Sequence, residues 1–350
     1  MAQAGPYRRR VDVARFGRST WAAPSPDVEI THDPADLDRG TWAVVITFEG
    51  ALTAVRMAPT GRPHPGDAAR WAPVRGWRPG LDRGGYVAGV EEVRRRIAAG
   101  TVYQVNLTTV LSAVLGDEAY LPDLAALLEG AHPAPFGALL HLPSAGVDVV
   151  SASPERYLSR HGDRLVSSPI KGTAPTLAQM LGKDVAENVM ITDLVRNDLQ
   201  HVCRPGTVTT PQLCAPQQLP GLVHLVSEVH GRLRAGAGWA DILAATFPPG
   251  SVSGAPKSSA LTSIGDLEVE PRGPYCGAVG WVDADADGGP RAELGVGIRT
   301  FWTSRTAQGR RLHFGAGAGI TWGSDPEGEW RECELKAHRL VGLASGTLTA

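Results

Sequence analysis

Lysine is scarce in this 350-residue chain: Lys171, Lys183, Lys257 and Lys336 stand against 30 arginines. A general bias towards arginine accounts for the imbalance, but not for the four positions where lysine remains. Lysine can lose its proton and act as a nucleophile when partly buried, which arginine cannot do. Cysteine is equally sparse. Cys203, Cys214, Cys276 and Cys333 lie far apart with no C-x-x-C pair, which argues against a disulfide framework or a thiolate zinc site. They read as reduced thiols of a cytoplasmic protein. No apolar run approaches the roughly 18 residues of a membrane span, so no membrane association is expected. Met1 to Arg10 carries arginines with no apolar stretch behind them, so no secretory signal is expected either. A formal net charge of −2 gives no electrostatic reason to expect nucleic acid as a partner.

What is present is a globular composition, 43% apolar, broken by 42 glycines and 27 prolines into short elements. Residues 1–80 offer one clear strand, Thr41 to Phe48, and read as a shortened N-terminal portion packed on the same fold as a main domain over 81–345. Gly89 to Ala99 has helical spacing and is stopped by Gly100. Val102 to Thr108 alternates as a strand, and Leu121 to Leu128 is a short helix. Val147 to Ser151, Glu155 to Arg160 and Arg164 to Ile170 are strands, the last two joined by a turn at His161-Gly162-Asp163. Lys183 to Val202 is the strongest helix, with Val185, Val189, Leu194, Val195 and Leu199 as its apolar positions. Further strands are expected near 207–210, followed by a segment around 222–233 and a short helix from Trp239 to Phe247. Strands follow over Cys276 to Asp283, Ala292 to Trp302 and Arg311 to Trp322. Ser324, Pro326 and Glu327 form a start signal for a final helix, with Ser324 as its cap. The pattern predicts an α+β fold, with large, mostly antiparallel sheets flanked by helices.

Three groups of residues could carry chemistry. If the turn centres on Gly162, Ser153 lies opposite Lys171 and Glu155 is a diagonal neighbour. A Glu and a Lys so placed form either a surface salt bridge or an acid beside a nucleophile. Asp184 and Glu187, three apart on one helix, are echoed by Glu329 and Glu332 on another. Each pair alone is ordinarily a solvated face, but together they would offer all-oxygen ligation suited to Mg²⁺. The segment Phe314 to Ile320 (FGAGAGI) is small enough for its backbone N–H groups to approach an anion. Gly250 to Ser258 has a superficial likeness to a phosphate-binding loop. However, Ala255 and Pro256 separate its glycine from Lys257, which excludes nucleotide binding of that kind.

The order of these blocks resembles one family. YQVNLT (103–108), SASPERYL (151–158), SPIKGTAPT (168–176), KDVAENVMITDLVRNDL (183–199), FPPGSVSGAPK (247–257) and GAGAGITWGSDPEGEWRECELKA (315–337) are similar to blocks of the chorismate-utilising enzymes. These include the large subunits of anthranilate and aminodeoxychorismate synthase and the isochorismate and salicylate synthases. The resemblance spans about residues 85–342 and implies a layered anthranilate-synthase-component-I-like fold with chorismate and Mg²⁺ in a cleft. It places Mg²⁺ on Glu187 and Glu332, with Asp184 and Glu329 nearby. Substrate contacts would come from Thr173, His224, Ser251, Arg299, the Gly315-Ala316-Gly317 loop and Lys336.

Two positions narrow the resemblance. Isochorismate and salicylate synthases carry a lysine base where this chain has Gln104. Anthranilate synthases usually read PIAGT where it has Pro169-Ile170-Lys171-Gly172-Thr173. Asn188 fits the same division, since anthranilate synthases commonly have His there. The chain therefore looks most like aminodeoxychorismate synthase component I, with Lys171 as nucleophile and Glu155 as acid. The resemblance also implies a glutamine amidotransferase subunit as the source of ammonia. The nearest alternatives are amination at C2, giving anthranilate or 2-amino-2-deoxyisochorismate, and an idle scaffold that binds the amidotransferase.

Overall fold

A computed structural model describes residues 11–349 except 18, 24–26, 61–65, 175, 181 and 220–221. The N-terminal arginines at 8–10 lie outside the described residues. Two ten-stranded sheets, antiparallel throughout the described pairings, form the body of the molecule. The first runs in the order Gly254–Ala255, Gln104–Val114, Gly309–Ile320, Thr300–Thr306, Val147–Ser153, Phe136–Leu142, Val13–Phe16, Ser19–Ala22 and Ala58–Thr60. The second runs Ile170–Ala174, Leu222–Arg232, Arg164–Ser168, Arg156–His161, Arg291–Val296, Ala278–Asp283, Thr41–Ile46, Leu52–Arg56 and Ile30–Thr31. The N-terminal strands extend both sheets. One hydrophobic cluster joins the sheets, with Trp42, Leu158 and Leu294 from the second meeting Leu107, Phe301 and Phe314 from the first.

The chain passes between the sheets at two neighbouring points. The first is Pro154-Glu155, between Val147–Ser153 and Arg156–His161; proline has no N–H to continue a ladder, so pairing ends there. The second is Gly297 to Arg299, where the single strand expected over Ala292 to Trp302 divides. Arg291–Val296 stays in the second sheet and Thr300–Thr306 joins the first. Arg299 makes that change with φ of 52°, a left-handed conformation that costs a non-glycine residue on the order of 1 kcal/mol or more. The crossings are tied together: Val296 N–H donates to the Glu155 carbonyl (3.0 Å) and Ala152 N–H to the Arg299 carbonyl (3.0 Å).

Six α-helices lie among the described residues: α1 (Arg83–Ala98), α2 (Leu121–Ala131), α3 (Gly182–Gln200), α4 (Trp239–Thr246), α5 (Lys257–Leu267) and α6 (Pro326–Ala344). None is long and apolar enough to cross a membrane. Helices α1 and α6 pack on each other and on the first sheet, and α3 packs on the second. The α5 helix was missed in the sequence because its Ser-rich first turn lacks an apolar stripe. Helix α3 forms as expected, with Val195 and Leu199 buried, but the buried face differs in its first half. Val185 and Val189 are 42% and 43% exposed, while Asn188, Ile191, Thr192, Val195, Asp198 and Leu199 face inward. Those six keep the 3–4 spacing of a buried stripe. The stripe is partly polar, because Asn188 and Asp198 make specific bonds there. The cap of α6 is Asp325, which accepts from Gly328 N–H (2.8 Å), rather than Ser324, which accepts from Thr321 N–H (3.0 Å).

Candidate active site

Lys171 lies on Ile170–Ala174, an edge strand that among the described residues pairs with Leu222–Arg232 alone. The cross-strand pairing of Ser153 with Lys171 does not form, because Ser153 belongs to the other sheet. Glu155 nevertheless reaches Lys171 from the sheet crossing, so the juxtaposition arises by a route that the hairpin did not suggest. The strand bearing Lys171 is held by Asn188 of α3. Its amide donates to the carbonyls of Leu225 (2.8 Å) and Lys171 (3.3 Å), and its oxygen accepts from Ser227 Oγ.

Burial dominates the electrostatics. Glu155 is 4% exposed, and desolvation pushes its carboxyl up to about 7. Hydrogen bonds from the Ser251 hydroxyl and Ile170 N–H, together with the Lys171 charge, oppose that rise. Desolvation lowers the Lys171 amine below the usual lysine range, against the pull of Glu187 and with the help of Lys336. Both shifts favour the neutral forms, an acid beside an amine.

The four acidic residues come from two helices, Asp184 and Glu187 from α3 and Glu329 and Glu332 from α6. Burial raises Glu187 and Glu329, and each also responds to Glu332. Burial likewise acts upward on Glu332, but Lys336, Lys171 and Lys183 together outweigh it and leave that carboxyl lowered. Lys336 Nζ bonds Glu332 (2.7 Å) and the Gly317 carbonyl (2.9 Å), which ties α6 to the first sheet. Among the described residues no three His, Cys, Asp or Glu side chains form a ready metal cage. The chemistry of the donors still fits Mg²⁺. They are all carboxylates, and the like charge of Glu332 that helps raise Glu187 and Glu329 would be relieved by a divalent cation. Lys171, Lys183 and Lys336 all face this group, so three of the four lysines converge on one place.

Gly315-Ala316-Gly317 lies in the strand expected over Arg311 to Trp322, paired with Gln104–Val114 from Gly315↔Val110 to Ile320↔Val105, and forms no loop of its own. Its glycines serve close approach rather than flexibility. A Cβ on Gly315 would fall 2.1 Å from the Tyr275 ring. One on Gly319 would fall 2.2 Å from Gln104 Nε2 and 3.0 Å from Lys171 Nζ. Gly315→Ala should therefore cost about 1–3 kcal/mol in thermal or denaturant unfolding, since an aromatic ring in the core must move. Gly319→Ala meets only the ends of flexible side chains. We expect it to leave the melting temperature nearly unchanged and to lower kcat/KM by at least about tenfold.

His224 is 2% exposed and pairs through the backbone with Thr173. The Thr173 side chain lies outside the described residues. Burial first, then the Arg299 charge, pushes the His224 imidazole down to about 4, so it is neutral at pH 7. Arg299 Nη1 lies 3.3 Å from His132 Nε2, and His132 is likewise held at about 4, chiefly by burial. Among the described residues Arg299 has no salt bridge, and burial depresses its guanidinium. Such a cation suits an anionic ligand. Ser251 sits in a short 3₁₀ turn that Arg272 anchors. Arg272, 1% exposed, donates to the carbonyls of Val252 (2.9 Å) and Asn106 (2.6 Å) and pairs with Glu268. Asn188 and Arg272 as braces had no sequence signal beyond a polar residue among apolar neighbours.

Residues 42–342 match the family described as chorismate binding enzyme. The chain is 34% identical over 359 residues to anthranilate synthase component 1 1 of Haloarcula marismortui, covering 97% of this chain and 70% of that protein. It is 36% identical over 288 residues to aminodeoxychorismate synthase component 1 of Klebsiella aerogenes, covering 78% and 61%. Among solved structures, the menaquinone-specific isochorismate synthase of Escherichia coli superposes with a TM-score of 0.77 at 19% identity, covering 96% of this chain and 89% of that one. Anthranilate synthase component I of Streptococcus pneumoniae gives 0.72 at 21%, covering 95% and 90%. At those identities the structures speak for the fold, while the match over 301 residues speaks for descent: this chain belongs to the chorismate binding enzyme family.

Proposed function

We propose that the protein aminates chorismate at C4, giving 4-amino-4-deoxychorismate, with Lys171 as a covalent nucleophile. The observation that carries this reading is the pairing of a lysine whose amine burial drives towards neutrality with a glutamate held at about 7. Neutral Lys171 Nζ attacks C2 of the ring, the double bonds shift, and the C4 hydroxyl leaves as water with the proton of Glu155. Ammonia then adds at C4, Glu155 takes back a proton, the double bonds return, and the Lys171 amine departs from C2. Chorismate and ammonia are consumed, and the amino product and water are formed. A neutral amine is required for the first attack and a protonated carboxyl for the loss of hydroxide.

Arg299, Lys336 and the strand around Gly317 would hold the substrate carboxylates, with His224 beside the ring and Ser251 tuning Glu155. Asp184, Glu187, Glu329 and Glu332 would hold Mg²⁺, which offsets negative charge on the bound substrate. Mg²⁺ should raise the melting temperature of the unaltered protein by binding only the folded state. Glu187→Gln combined with Glu332→Gln should remove that rise, and thermal unfolding with and without Mg²⁺ reads it directly. Ammonia would come from a glutamine amidotransferase subunit.

Relatives named for both amination outcomes make C2 amination the second reading. Protein, chorismate, Mg²⁺ and an ammonium salt, followed by chromatography and mass, separate the two. A pyruvate-retaining product that an aminodeoxychorismate lyase turns into p-aminobenzoate supports C4 amination. Anthranilate overturns it.

A further inference from the structure

The buried Glu268–Arg272 pair has no part in the chemistry proposed above, yet it lies behind residues that do. Glu268 follows α5, and its carboxylate takes two bonds from the Arg272 fork, from Nε at 2.7 Å and from Nη2 at 2.6 Å. The same carboxylate accepts from the N–H (2.8 Å) and the hydroxyl (2.9 Å) of Thr108, on the strand Gln104–Val114. The rest of the fork spans a gap. Nη2 donates to the Asn106 carbonyl of that strand, and Nη1 to the Val252 carbonyl, one residue after Ser251. Arg272 thus ties the strand to the turn whose Ser251 hydroxyl donates to Glu155.

We propose that Arg272, locked by Glu268, is a positioning residue for Glu155: it fixes the turn so that the Ser251 hydroxyl stays on the carboxyl. The inference rests on the reading of Glu155 as the acid. Geometry is the first argument. A planar guanidinium can serve a carboxylate and two carbonyls at once, whereas an ammonium is a point charge without that fork. Cost is the second. A buried ion pair contributes little net stability, and apolar residues of similar volume often do as well, so the worth of this pair lies in what it orients. The third argument is chemical. A hydroxyl that donates to the carboxylate favours its ionised form and holds back the rise that burial imposes. Without that bond Glu155 would be a weaker acid, slower to release its proton to the departing hydroxyl. The charge that acts on Glu155 is that of Lys171, and Ile170 N–H bonds the carboxyl from the same strand. Arg156 and Asp198 line the small cavity that Glu155 borders. The effect of Arg272 therefore runs through the turn.

The test titrates Glu155 itself. The carboxyl band in the infrared difference between a protein and its Glu155→Gln counterpart follows protonation and needs no turnover. Ser251→Ala and Arg272→Lys should each raise the proton affinity of Glu155 by at least about threefold, the worth of one hydrogen bond. The double variant should match Ser251→Ala alone, because both changes remove the same bond. Glu268→Gln keeps the shape of the pair and should act in the same direction. It serves in place of Arg272→Lys if circular dichroism shows that variant unfolded. Lower melting temperatures with an unmoved Glu155 titration would overturn the inference and leave the pair a structural brace. A further rise in the double variant would overturn it too, since Arg272 would then act by another path. If the titrations follow expectation while chorismate and ammonium give no 4-amino product, the positioning stands and the C4 reading falls.

Discussion

Lys171→Ala is expected to show no mass adduct with chorismate and to lose C4 amination by at least about 10³-fold. Two displacements at the ring, first by Lys171 and then by ammonia, place the amine at C4. Alanine leaves only direct attack by ammonia. That attack falls most readily at C2, where Lys171 would have bonded, so residual turnover should shift towards a C2-amino product. The fold should survive, because the strand is held through the Lys171 carbonyl by Asn188 rather than through the side-chain amine. Circular dichroism, intact-protein mass and product chromatography together read the result. Unchanged C4 amination in Lys171→Ala would remove the nucleophile assignment.

Glu155→Gln should slow loss of the C4 hydroxyl by roughly 10²–10⁴-fold, the usual span for removing a general acid. In the unaltered protein that step should fall as pH rises through about 7, where the carboxyl gives up its proton. The same shift predicts a stability effect that does not depend on function. The folded-state pKa, about 7, lies above the ordinary glutamate value of 4.5, so the folded state binds more protons between those values. The stabilisation is fully present below 4.5 and is lost as pH rises through 7, leaving a cost on the order of 3 kcal/mol at pH 8. Glutamine carries no charge to desolvate. Glu155→Gln should therefore unfold at a higher temperature than the unaltered protein at pH 8 and at nearly the same temperature near pH 4.5. An equal difference at both pH values would mean that Glu155 is not buried as a charge.

Much of this was legible along the chain. The alternation at 102–108, the spacing at 89–99 and the turn at 161–163 are local properties, and the strands and helices they announce are present. Lys171, the two acidic pairs and the small-residue run at 314–320 stood out for chemical reasons that needed no coordinates. The misreadings share a cause. Val185 and Val189 were taken as the buried face of α3 because hydrophobicity was the only guide. In the fold, Asn188 and Asp198 are buried because each has a partner from another part of the chain. Glycine's permissiveness suggested a flexible anion loop at Gly315–Gly319, inside the strand expected over Arg311 to Trp322. The strand forms, and its glycines are where Tyr275, Thr108 and Gln104 approach closely.

The sequence by itself determined the kinds of element, the antiparallel character and the residue types that could act as nucleophile, acid and oxygen ligands. These depend on side-chain period, on turn chemistry and on functional groups, all of which are local. Only the tertiary structure decided that Glu155 meets Lys171 from a crossing between sheets, that three lysines gather at the carboxylates, and that the fourth pairs with Asp198 of α3 apart from them. Those depend on long-range register and on burial. Burial also sets the protonation of Glu155 and Lys171, because the cost of removing a charge from water is known only once the surrounding walls are in place.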